Sequence, residues 1–129
     1  MTQKHRLSSF DRTQGLGSAR EGVRHWWMQR VTALALIPLT LWFAASLIAY
    51  IRDDYSVLIL WLRNPFTSVA MVLLLTALFY HMALGLQVVV EDYVHNDRIK
   101  IPAVAVIHLA SFALAAAGIV TTLRIAFGE

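Results

Sequence analysis

Three long charge-free runs constrain this chain more than any other feature. Val31–Ile51, Phe66–Val90 and Ile101–Leu123 contain no Asp, Glu, Lys or Arg and run for 21, 25 and 23 residues. A helix crosses the hydrocarbon layer of a bilayer with roughly 20 apolar residues. Ordinary soluble domains carry about 25% charged residues. Here the charged share is 15% of 129 residues, too little polar chain to cover three such runs. The sequence therefore predicts an all-α membrane protein with three transmembrane helices over about residues 31–51, 66–90 and 101–123. What remains is too short for a second folded domain.

Charge placement predicts orientation. Lys4, Arg6, Arg12, Arg20, Arg24 and Arg30 precede the first span, and Arg98 and Lys100 sit in the second connection. The opposite side carries only Arg52, Arg63 and Arg124. The positive-inside rule then puts the N-terminus in the cytoplasm and the C-terminus across the membrane. The net charge of +3 is explained by these flanks, so nucleic acid is not an expected partner. The chain has no cysteine, which excludes disulfides and thiolate-held zinc or iron–sulfur centres within it. Neither G-x-G-x-x-G nor G-x-x-x-x-G-K-[ST] occurs. Residues 1–30 lack an apolar core of their own, so no cleavable signal peptide is expected.

Residues 1–17 read as a mobile polar arm, and 18–129 as one membrane-anchor domain. Ser18-Ala19-Arg20-Glu21 fits the S-x-x-E capping box, which predicts a helix start near Ser18. Arg24, His25 and Arg30 alternate with Trp26 and Trp27, a mixture suited to the headgroup layer. A short interfacial helix running into the first span is expected. Pro38 predicts a kink in that span. Tyr55–Leu62 is too short to cross and predicts a surface helix in the first connection. Pro102 suits the first turn of the third span, whose Ala and Gly content favours close packing.

Four groups could carry chemistry. His81 lies within the second span, where an ionisable side chain is costly and a functional candidate. Ala77 and Gly85 flank it at helical spacing and leave a shallow groove beside the imidazole, a fitting place for a flat macrocycle with an iron-bound histidine. The competing reading is a histidine bonded to a Ser, Thr or carbonyl of a neighbouring helix. His108 in the third span is expected at similar depth, either as a second ligand or bonded to a neighbour. Asp92 and Tyr93 follow His81 by about three turns, or roughly 16 Å at 1.5 Å per residue. Tyr93 offers a phenolic donor to a quinone carbonyl, although such residues also commonly end a span. Arg24, His25 and Arg30 are placed to bind acidic groups or simply anionic lipid.

With these residues placed, the chain resembles the hydrophobic membrane-anchor family, the D subunit, of bacterial succinate dehydrogenase (respiratory complex II). The likeness covers about residues 20–125 and rests on two motifs: His81-x10-Asp92-Tyr93, and Gly22-Val23-x6-Arg30-x-Thr32 leading into the first span. The resemblance implies that His81 is one axial ligand of a haem b whose other ligand comes from a sister anchor, the C subunit. It implies that Tyr93 hydrogen-bonds ubiquinone, that Asp92 shapes that site, and that Arg30 reaches a haem propionate. Arg24 stands where the family can carry a propionate-binding histidine, and here His25 is its neighbour. His108 matches no family ligand. The implied partners are the sister anchor, an iron–sulfur subunit and a flavoprotein, in the bacterial inner membrane with a periplasmic C-terminus. The two anchors would pack as a helical bundle around the haem. No catalytic residue of succinate oxidation is expected in this chain.

Two other readings make different predictions. A self-contained small cytochrome b would use both His81 and His108. A non-redox membrane scaffold would hold no haem and would tolerate changes at His81 or Tyr93.

Overall fold

A computed structural model of the chain describes the backbone of residues 9–128 and the side chains of residues 20–128. Four helices follow one another: α1 (Ser9–Tyr50), α2 (Tyr55–Arg63), α3 (Pro65–Tyr93) and α4 (Asp97–Phe127). Three stretches are long and apolar enough to cross a membrane: Arg20–Tyr50, Pro65–Tyr93 and Asp97–Phe127. The all-α, three-span architecture matches the expectation from the charge-free runs.

The helix ends depart from it in instructive ways. The interfacial segment and the first span are one continuous helix, uninterrupted at Pro38. That helix is already formed at Ser9, the first described residue, so Ser18 lies within it and does not cap it, and residues 9–17 of the expected polar arm are helical. Residues 1–8 of that arm lie outside the described residues. Pro102 falls in the second turn of α4, not the first, because Asn96 caps the helix five residues before the charge-free run begins. Its side-chain oxygen accepts the Arg98 amide at 3.0 Å. Asn64 does the same for α3, accepting the Phe66 amide at 2.9 Å, with Pro65 in the first position. Both caps answer amides that a helix start leaves unpaired.

The central element is α3. It packs along α1 on one side and α4 on the other, while α1 and α4 share at most marginal contact. The buried residues of α3 recur at helical spacing: Thr67, Ala70, Met71 and Leu74, then Ala83 and Leu84. Gly118 of α4 lies close against Leu75, where a Cβ would come within 3.1 Å of the leucine Cδ1. Between lipid-immersed helices, small residues of this kind permit the close approach that dispersion forces require. Large apolar side chains such as Leu34 and Leu41 of α1 and Leu109 and Phe112 of α4 stay exposed, as lipid or a further helix layer would require.

At the far end from α1's start, α2 packs on α3 and α4. Trp61 stacks on Trp42 at 5.8 Å and meets Tyr50 at 5.7 Å. Arg63 donates from Nε to the Ile125 carbonyl at 3.3 Å, a cation at the electronegative end of α4. Gly128 closes α4 with φ +81°, a left-handed conformation suited to glycine.

Candidate functional site

Most hydroxyls in the spans are given back to their own helix. Thr40 donates to the Leu36 carbonyl, Thr76 to Val72, Thr121 to Ala117 and Thr122 to Gly118. Such back-bonding satisfies the group without help from a neighbour. Among the described residues, two side-chain pairs instead join different helices: Thr32 with His81, and Gln87 with His108.

The first pair links the two sequence motifs. Thr32 Oγ1 of α1 lies 2.9 Å from His81 Nδ1 of α3. The same oxygen lies 2.7 Å from the Met28 carbonyl and 3.1 Å from that of Gln29. Thr32 is buried and His81 half-buried. His81 Nε2 meets no hydrogen-bond partner among the described residues. One turn beyond His81, the nearest atom to a Cβ built on Gly85 is Gln29 Nε2, at 3.9 Å. So α1 runs backwards as α3 runs forwards: Thr32 faces His81, and Gln29 faces Gly85. Extending that antiparallel register sets Arg24 and His25 beside the last turns of α3, which end in Asp92 and Tyr93.

The remaining predicted residues fall at this same end. His25 Nε2 is shut off from solvent without a hydrogen-bond partner. Arg30 places its guanidinium over the Trp26 ring, 5.5 Å from the centroid, and Trp26 meets Trp27 edge-on at 5.3 Å. Arg24 and Asp92 are exposed, and Tyr93 is 80% exposed. His81 and His25 thus lie along the α1–α3 side; Arg24, Arg30, Asp92 and Tyr93 are exposed toward the same end, with Arg30 turned about 160° around α1 from Thr32.

His108 is elsewhere. Its Nε2 lies 2.9 Å from Gln87 Oε1, and Gln87 Nε2 lies 2.8 Å from Glu91 Oε1. An amide oxygen only accepts, so His108 donates to Gln87, which donates to the Glu91 carboxylate. Six residues separate His81 from Gln87, which is about 9 Å along α3 and about 120° around it. The two histidines therefore do not share the depth and side that one bound group would need. His108 instead lines a groove of about 650 Å³ between α3 and α4, with Tyr80, Ser111 and Phe112. His81 does not line that groove. Each histidine is bonded to a neighbouring helix through one ring nitrogen, His81 through Nδ1 and His108 through Nε2.

Gln87 and Thr32 carry contacts that sequence reasoning gave no role. A lone amide inside a charge-free span was the available signal for Gln87. Thr32 stood in a motif but looked like any other span threonine.

Fold and polar groups together define a multi-pass helical membrane protein whose central helix makes one polar side-chain contact to α1 and another to α4. The chain belongs to the family of succinate dehydrogenase/fumarate reductase transmembrane subunits, whose model matches residues 4–121. It is 32% identical over 89 residues to the succinate dehydrogenase hydrophobic membrane anchor subunit of Rickettsia bellii (strain RML369-C), covering 69% of this chain and 71% of that one. It is 31% identical over 113 residues to the succinate dehydrogenase membrane anchor subunit of Reclinomonas americana, covering 84% and 87%. The corresponding figures for the hydrophobic membrane anchor subunit of Paracoccus denitrificans are 30% over 113 residues, 82% and 88%. The family read from the two motifs is the family found.

Proposed function

We propose that this chain is the D-type membrane anchor of a succinate:ubiquinone oxidoreductase. It pairs with a sister C-type anchor, docks an iron–sulfur subunit and a flavoprotein on its cytoplasmic side, and helps form the site where ubiquinone is reduced. It lies in a bacterial inner membrane with the N-terminus cytoplasmic and the C-terminus periplasmic, as the uneven Lys and Arg counts favour. Succinate oxidation itself belongs to the partner subunits.

The observation that carries the reading is the state of His81. It is held on Nδ1 with Nε2 unbonded, and one turn away a Cβ built on Gly85 would meet nothing nearer than the Gln29 amide at 3.9 Å. These residues fit a haem b: His81 Nε2 as one axial ligand, and Arg30, Arg24 and the orphaned His25 Nε2 as donors to propionates. A second ligand would come from the sister anchor, since His108 stands on the other side of α3. When bound, the haem supplies one-electron storage within the membrane. Tyr93, exposed at the end of α3, donates its phenolic proton in a hydrogen bond to a quinone carbonyl at the membrane surface. Asp92 beside it keeps that pocket polar.

The test is a reduced-minus-oxidised spectrum of the complex purified through a tag on this chain. A b-type band with succinate–quinone reductase activity is expected, and His81→Ala should abolish or alter the band. A wild-type band in His81→Ala would refute the ligand assignment. Haem held by the isolated chain and lost in His108→Ala would instead establish the self-contained cytochrome.

A further inference from the structure

We infer that Thr32 is the residue that fixes the tautomer and ring orientation of His81, and so sets how strongly that histidine holds ferric over ferrous haem. The inference rests on the haem reading above and deepens it.

The proton positions follow from the distances. Thr32 Oγ1 lies 2.7 Å from the Met28 carbonyl oxygen. Two oxygens that close repel unless a proton lies between them, and a carbonyl has none to give. The hydroxyl proton therefore points at Met28, with Gln29 as a weaker second acceptor at 3.1 Å. Only lone pairs remain toward His81. The 2.9 Å contact then requires that Nδ1 carry the proton. A neutral imidazole has one N–H, so Nε2 is left as the bare nitrogen, the form a metal binds.

Three features make this an orienting device rather than a chance contact. Thr32 is 8% exposed, so water competes little for its lone pair. Its hydroxyl is anchored on backbone one turn back and cannot swing away without losing Met28. The other threonines bonded within the spans use only their own helix, whereas Thr32 does that and also accepts from a partner. Hydrogen bonding from the far ring nitrogen makes a histidine a more basic ligand. A more basic ligand favours ferric iron, so the bond holds the midpoint potential down.

The test uses the assembled complex carrying Thr32→Val, Thr32→Ser or His81→Ala. Two quantities are read: the haem retained against a soluble haem acceptor, and the midpoint potential by optical redox titration. Loss of such an outer partner typically costs about 10–100-fold in affinity, and Thr32→Val should fall in that range. Its potential should rise. A tenfold preferential loss of ferric affinity reads as about 59 mV upward for a one-electron couple. Thr32→Ser keeps the hydroxyl and should restore both values. Should Thr32→Val fail to assemble, Thr32→Ala removes the oxygen without placing a methyl against the ring and is read the same way. Wild-type retention and potential in the hydroxyl-free variant, with the band lost in His81→Ala, overturns the role of Thr32 and leaves the ligand reading standing. A potential in Thr32→Ser displaced as far as in Thr32→Val also overturns it. A wild-type band in His81→Ala overturns the haem reading itself, and this inference with it.

Discussion

Replacing Gln87 by leucine should weaken the chain more than replacing its partner His108, and the reason lies in what each change strands. Gln87→Leu leaves the His108 N–H without an acceptor inside α4, eleven residues from the Asp97 end of the helix and about 16 Å along its axis from the headgroup side. An unsatisfied buried donor costs about 1–3 kcal/mol. His108→Leu strands only the Gln87 carbonyl, and Gln87 keeps its bond to Glu91 one turn nearer the interface. Its cost should fall nearer the measured range for hydrogen bonds between membrane helices, about 0.6 kcal/mol on average and up to about 1.7. The double variant removes both partners, so its cost should be less than the two single costs added. A double-mutant cycle read by detergent-driven unfolding in mixed micelles gives the coupling. A value of about 0.6–1.7 kcal/mol, with Gln87→Leu the costlier single change, is expected. Equal single costs that simply add would refute the reasoning. The haem band should be unchanged in His108→Leu throughout.

Other outcomes follow from the same geometry. Tyr93→Phe should lower quinone reductase activity by about tenfold, the value of one hydrogen bond of about 1.4 kcal/mol, while dye-coupled succinate oxidation stays at its wild-type rate; equal loss in both assays would assign Tyr93 to assembly. Since the chain has no cysteine, single Cys probes at exposed Tyr55 and His95 should react with an impermeant thiol reagent from opposite faces, Tyr55→Cys from the periplasm. Labelling of both from one side would contradict the three-span orientation. Gly128→Ala should cost about 1–2 kcal/mol, because the residue sits at φ +81° and the new Cβ would meet the Arg63 guanidinium at 3.4 Å. An unchanged melting temperature of the complex would show that this helix end contributes nothing.

The spans were legible because hydrocarbon leaves little choice: a run of 21 or more uncharged residues must be buried or lipid-covered. Their ends were less so. A charge-free run marks the hydrocarbon layer, whereas a helix continues into the headgroup region until a cap or turn stops it. Thus α3 carries on through Glu91, Asp92 and Tyr93, and α4 begins at Asp97. Ser18 matched a capping box, yet helical chain continues upstream of it to Ser9. His81 stood out by the cost of its polarity within lipid. Thr32 did not, because a span threonine usually bonds its own helix, as Thr40 and Thr76 do. Its second bond depends on a register between residues 49 positions apart. His108 was visible as a polar residue, but its partner and its side of α3 were matters of packing. The two motifs themselves gave no sign that they touch.

The order of the helices has a consequence for synthesis. A ribosome delivers α1 first, then α3, then α4, and the Thr32–His81 contact needs only the first two of these spans. The side of α3 that carries His81 can therefore close before α4 is packed. A released fragment ending in the connection before α4 already carries both partners of that contact, whereas the Gln87–His108 bond needs α4. The two faces of α3 are thus separable: the His81 face needs α1 alone, and the Gln87 face needs α4.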